Sequence, residues 1–253
     1  MKRLFTIFAM FGLTFGLTAQ NTIIATADFD RVSVSHAFNI ILIPSDRNEV
    51  IVPENLELPR GVETEDIISV NRGTLTIALP ESFLRRNNRW NTGNERQPDI
   101  RVYFKSLNSL SLSGASSATS EGTIRANTFQ ASLAGSGRAN LNIVADNVTS
   151  RLSGSGRLTL TGRANEHNIN VSGSGRVDAE NVLETKSSRV SVSGSGRASV
   201  SAESVRVSLS GSGRITLQAR EVTGSISGSG RVMLNADAQR NISTSGSGRV
   251  QTL

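Results

Sequence analysis

Past its first twenty residues the chain alternates apolar and polar residues in short runs. Phe29-Asp30-Arg31-Val32-Ser33-Val34 has a period of two, and residues 38–43 form a stronger apolar run stopped by Pro44-Ser45-Asp46. This period predicts half-buried strands, because successive side chains in a strand point to opposite faces. Residues 49–52 make another strand, ended by Pro53, and residues 55–61, which hold Pro59, read as a connection. Residues 67–70 and 74–79 flank Asn71-Arg72-Gly73, a compact turn signal. Residues 99–104 resume as a strand, and Leu107, Leu110 and Leu112 continue the alternation.

From residue 113 the alternation locks to a repeat. Gly-Ser-Gly-Arg occurs seven times, with arginines at Arg138, Arg157, Arg176, Arg197, Arg214, Arg231 and Arg249, spaced 19, 19, 21, 17, 17 and 18 residues apart. A weaker copy, Ser113-Gly114-Ala115-Ser116-Ser117, precedes them and lacks the second Gly and the Arg. A period that tolerates small slips indicates stacked structural units. In Leu152-Ser153-Gly154-Ser155-Gly156-Arg157-Leu158-Thr159-Leu160, the leucines and both glycines share one parity, and Ser153, Ser155, Arg157 and Thr159 share the other. Strand geometry therefore predicts leucines and glycines inward, and serines, arginine and threonine outward.

One such unit cannot bury its apolar side alone, whereas stacked copies can. The expected fold is all-β: a right-handed, single-stranded parallel β-helix with about 17–21 residues per coil. Eight coils at ~4.8 Å each would extend ~35–40 Å. Glycine in a strand costs roughly 0.5–1 kcal/mol relative to Ala. Its recurrence at fixed places implies a sharp corner or a close backbone approach. A phosphate-cradling loop would need a helix behind it and would not recur seven times. The apolar alternation on both sides excludes a flexible linker.

Residues 1–19 read as a secretory signal peptide: Met1-Lys2-Arg3, an apolar stretch over residues 4–17, and a small residue, Ala19, for cleavage. Residues 20–112 are expected to form N-terminal β coils continuous with the repeat helix of residues 113–253. Residues 80–98 break the rhythm. They carry Arg85, Arg86, Arg89, Arg96 and the single Trp, Trp90, and read as a long basic surface loop. That loop could grip a sugar or an acidic polymer, or be a solvated insertion. No stretch reaches the ~20 apolar residues of a membrane-spanning helix. The expected location is outside the cytoplasm: periplasm, outer cell surface or extracellular space.

Composition narrows the chemistry. Only 4% of the residues are aromatic, fewer than a compact core of 253 residues usually holds and too few for a base-stacking platform. The absence of Cys removes disulfides, thiolate metal sites and cysteine nucleophiles. His36 and His167 are the two histidines, each expected on the surface or in a strand, so no metal site and no cofactor is expected. The acids Asp178, Glu180, Glu184, Glu203, Glu221 and Asp237 keep no fixed register. Some parallel β-helices are polysaccharide lyases or hydrolases with clustered carboxylates. Here no catalytic constellation emerges, and a non-enzymatic role is expected. The calcium-binding glycine-rich nonapeptide has Asp after its glycines, where this chain has Arg.

The order of the motifs carries a family resemblance. Residues 29–34, 38–40, 73–77, 100–104 and Leu107-Asn108-Ser109-Leu110-Ser111-Leu112-Ser113-Gly114-Ala115, followed by coils built on Gly-Ser-Gly, resemble the "putative auto-transporter adhesin, head GIN domain" family, a domain of unknown function common in Bacteroidetes. The resemblance spans residues 25–253. It implies an exported β-helical fold with an adhesin-like role and no established catalytic residues. Family members often carry Asp or a neutral residue after Gly-Ser-Gly, and here the residue is Arg each time.

Stacking would set the seven arginines in one outward column. Unit charges ~5 Å apart in water repel by roughly 1 kcal/mol, so a corner alone gives no reason for them. A cationic ridge for an extended anionic partner gives one: acidic polysaccharide, lipopolysaccharide phosphate or extracellular DNA. The guanidinium fork matches carboxylate and phosphate. The competing readings are a cell-envelope scaffold whose ridge serves solubility, and a carbohydrate-active enzyme. The formal charge is +6, and +4 without Lys2 and Arg3. Its distribution therefore matters more than its sum.

Overall fold

Alternating Val, Leu and Ile need an apolar interior, and a strand too thin to make one must stack on copies of itself. The computed structural model, which describes residues 21–86, 99–179 and 183–253, shows that arrangement: a parallel β-solenoid of about seven turns. Strands such as Arg138–Gly154, Arg157–Gly173, Arg197–Gly211 and Arg214–Gly228 each run from one Gly-Ser-Gly corner to the next. Each pairs in parallel with the coil before and after it. The residue two before each corner, up to that at Gly228, forms one inward column: Leu112, Leu133, Leu152, Val171, Val192, Leu209 and Ile226, none more than 2% exposed. The residue after each arginine forms another, with Leu158, Val177, Ile215 and Val232 fully buried. Each such side chain contributes roughly 1.5–3 kcal/mol of burial.

The corner departs from the expected parity. The second glycine points inward and is buried, as at Gly156, but the first is on the outside. Gly154 has φ of 110°, a conformation that only glycine adopts readily. That turn resets the face alternation, so Leu152 and Gly154 do not share a face. Close stacking adds a second constraint. A Cβ on Gly154 would lie 2.6 Å from the carbonyl oxygen of Gly135, and one on Gly156 would lie 2.9 Å from that of Gly137. The backbone ladder continues through the bend. Ser155 N–H donates to Gly135 O at 2.8 Å and Arg157 N–H to Gly137 O at 3.0 Å.

The same corner exists one coil earlier without glycine. His36 has φ of 73°, and its carbonyl accepts Ala115 N–H at 2.6 Å, as Gly114 O accepts Ser136 N–H. The His36 ring steadies the bend, with Nδ1 accepting Leu79 N–H at 3.4 Å. Phe38, fully buried, stands where later coils have the second glycine. In the next coil that place is taken by Ser116, also buried, whose hydroxyl donates to Ser113 O at 2.6 Å.

The N-terminal strands belong to the same sheet. Arg31–Val34 pairs in parallel with both Thr74–Ile77 and Ser109–Gly114, and Asn39–Pro44 with Asp99–Phe104 and Ser117–Ser120. Among the described residues three antiparallel pairings depart from the all-parallel pattern: Thr22–Ala25 on Glu49–Val52, Glu49–Val52 on Asp99–Phe104, and Ile68–Asn71 on Thr74–Ile77. Residues 81–86 of the basic insertion form a short α-helix rather than loop, with Arg85 3.4 Å from Glu81.

Candidate functional site

The arginines stand in one column because the corner fixes them. Backbone register pairs Arg138 with Arg157, Arg157 with Arg176, Arg176 with Arg197, Arg197 with Arg214, Arg214 with Arg231 and Arg231 with Arg249. Adjacent strands set neighbouring Cα atoms ~4.8 Å apart. Arg138, Arg157, Arg197, Arg214 and Arg249 are exposed, and Arg176 and Arg231 are half-buried. Beyond Arg138, its first arginine, the column continues as Ser117, Asn39 and Asp99, so the cationic part is confined to the repeat.

Among the described residues none of the seven arginines forms an ion pair. Other arginines do, as in Arg163 with Glu184 at 2.7 Å and Arg47 with Glu49 at 3.1 Å. The outward column two residues after the arginines holds one acid, Asp178, among Asn140, Thr159, Ser199, Thr216, Met233 and Gln251. On the other side come the corner serines, including Ser155, Ser174, Ser195 and Ser212, all exposed. The charge is segregated along the molecule. Residues 113–253 hold 15 basic and 9 acidic residues, and residues 20–112 hold 10 and 12.

Of the second group of expected contact residues only Arg85 is fully described. Arg85 is on the short helix of residues 81–86, and the Arg86 side chain, Arg89, Trp90 and Arg96 lie outside the described residues, as do residues 1–19, where a signal peptide is expected, and Glu180. No group of three or more metal-ligating side chains occurs among the described residues, and no described helix is long and apolar enough to cross a membrane.

His167 takes a place the sequence did not single out. It lies in the strand Arg157–Gly173 but points inward, 1% exposed, in a column with Phe129, Val148, Ser188, Val205 and Val222. Ser150 Oγ and His167 Nε2 are 2.8 Å apart, Ser188 Oγ donates to His167 O at 2.9 Å, and Nδ1 has no partner. Burial lowers its pKa to about 3, which keeps the ring neutral.

The fold has a counterpart among known families. The sequence profile of the "putative auto-transporter adhesin, head GIN domain" family matches residues 28–218. The chain belongs to this head GIN domain family. Three solved structures resemble this head GIN domain protein in fold. A protein of Bacteroides fragilis described as a "putative adhesin" is 16% identical, with TM-score 0.64 over 96% of this chain and 100% of its own. A "putative lipid binding protein" of Parabacteroides distasonis is 20% identical, with TM-score 0.75 over 92% and 96%. A "putative adhesin" of Parabacteroides merdae is 14% identical, with TM-score 0.74 over 92% and 95%. No curated protein matches this head GIN domain chain at a significant level.

Proposed function

We propose that this head GIN domain protein is an exported, non-enzymatic surface-binding module that holds an anionic polymer along Arg138, Arg157, Arg176, Arg197, Arg214, Arg231 and Arg249. The observation that carries this reading is seven in-register guanidinium groups with no carboxylate partner among the described residues. Mutual repulsion in such a column is relieved by an external line of oxyanions, and each contact is a charge-assisted hydrogen bond. Serines at the corner add hydroxyl donors beside each arginine. The names of the adhesin-like structural relatives agree with a surface-binding role.

The test is fluorescence anisotropy with labelled polygalacturonate. Wild type is expected to bind in a salt-sensitive way. Arg157→Ser, then Arg176→Ser and Arg197→Ser added in turn, should each weaken binding by about two- to fivefold, in keeping with solvent-exposed charge pairs. Unchanged affinity in the triple variant, together with lower solubility, would replace this reading with the envelope-scaffold one. Release of reducing ends or unsaturated products from the polymer would point instead to an enzyme.

A further inference from the structure

On the other side of the corner from the arginine ridge, the coils carry a recess of about 390 Å³. That volume falls within the usual range for small-molecule sites, ~300–1,000 Å³. The register builds it from two adjoining outward columns. One runs Glu166, Ser187, Ser204, Glu221, and the other Asn168, Arg189, Arg206, Thr223. Two small serines therefore form a floor between two long glutamates, and two arginines stand beside that floor.

The charges are arranged for a specific kind of ligand. Arg189 and Arg206 are exposed, one rung apart, and neither forms an ion pair among the described residues. An oxyanion placed between them would satisfy both guanidinium groups. Glu166 and Glu221 lie three rungs apart, ~14 Å, and bracket that centre. They repel a run of negative charges laid along the recess, and they accept hydrogen bonds from hydroxyls. Asn168 and Thr223 add neutral polar groups at the same two ends. Between these two outward columns run His167, Ser188 and Val205, whose side chains turn into the core.

We propose that this recess binds a short saccharide bearing a single carboxylate, the carboxylate between Arg189 and Arg206 and the flanking sugar hydroxyls on Glu166 and Glu221. The site differs from the ridge in what it selects. The ridge suits repeated charge, and the recess suits one isolated charge flanked by hydroxyls.

An NMR titration of the full chain, read at the Arg189 and Arg206 Nε–Hε signals, separates the two sites residue by residue. Methyl glucuronide should give saturable shifts there, and the neutral methyl glucoside should not. Arg189→Ser with Arg206→Ser, read at the neighbouring Ser187 and Ser204 amides, should weaken uronide binding about tenfold or more. Trigalacturonate, with three carboxylates, should bind the recess less well than the monouronide, and Glu166→Gln with Glu221→Gln should reverse that order. Absence of saturable shifts, an equal response to the glucoside, or unaltered affinity in the double arginine variant would overturn the proposal. All four positions face outward, and circular dichroism checks that the variants fold. If the arginine double variant does not fold, the trigalacturonate reversal decides.

Discussion

His167 shows how one side chain can set a condition on the whole fold. Its neutral ring is accommodated beside the Ser150 hydroxyl, and its protonated ring is not, because burial disfavours the charge. An unfolded histidine titrates near pH 6.5 and the folded one at about 3. Between those values the unfolded chain holds the extra proton. Stability is therefore full above pH 6.5 and falls as the pH drops toward 3, by at most about 1.4 kcal/mol per pH unit from this group. His167→Val, which copies Val148 and Val205 of the same column, should flatten the pH dependence of the melting temperature between pH 6 and pH 4 relative to wild type. Parallel pH profiles for the two proteins would show that the ring does not limit acid stability. The place of His167 was not legible in the sequence, because Asn-Glu-His-Asn-Ile-Asn hides its inward parity among polar residues. The corner arginines were legible, since each is tied to a glycine signature and follows the backbone register. Arg189 and Arg206 were not. Counted from the arginine before each they stand 13 and 9 residues on, and they align only when counted back five residues from Gly194 and Gly211.

The corner is the element on which everything else is aligned. Parity alone put both glycines inside, and it failed at Gly154 because a residue at φ 110° restarts the alternation. The pattern showed that glycine was required and did not show which of two reasons applied at each place. The first glycine supplies the left-handed turn and the second the close approach to the coil before. The corner at His36 escaped notice for the converse reason: it makes the bend with His and Phe, so the repeat signature is missing where the geometry is present. Gly154→Ala should therefore be costly, since the new Cβ meets both a disfavoured φ and the Gly135 carbonyl. We expect a loss of about 2 kcal/mol or more, seen as a lower melting temperature. Ser153→Ala, one residue earlier and exposed, should stay within about 0.5 kcal/mol. Equal melting temperatures for the two variants would contradict the corner account.

At the scale of the molecule, the repeat and its parallel stacking followed from the period. The antiparallel pairings Thr22–Ala25 with Glu49–Val52 and Glu49–Val52 with Asp99–Phe104 did not, because strand partners so far apart in sequence leave no local mark. One consequence of the aligned corners is collective. Setting 332/(80r) equal to a thermal energy of ~0.59 kcal/mol gives ~7 Å as the separation at which two unit charges in water interact by that amount. The arginine column is spaced at ~4.8 Å, inside that limit. A line of charge this dense draws small anions out of the surrounding salt and keeps them near, as the phosphates of a nucleic acid do with cations. The logarithm of polymer affinity should then fall linearly with the logarithm of salt concentration, and each Arg→Ser change in the column should lower that slope by something under one. A slope indifferent to the number of arginines would mean that the column is not where the polymer sits. A polymer held on the ridge as proposed would displace a sheath of small anions, and the entropy of those released ions would drive its capture.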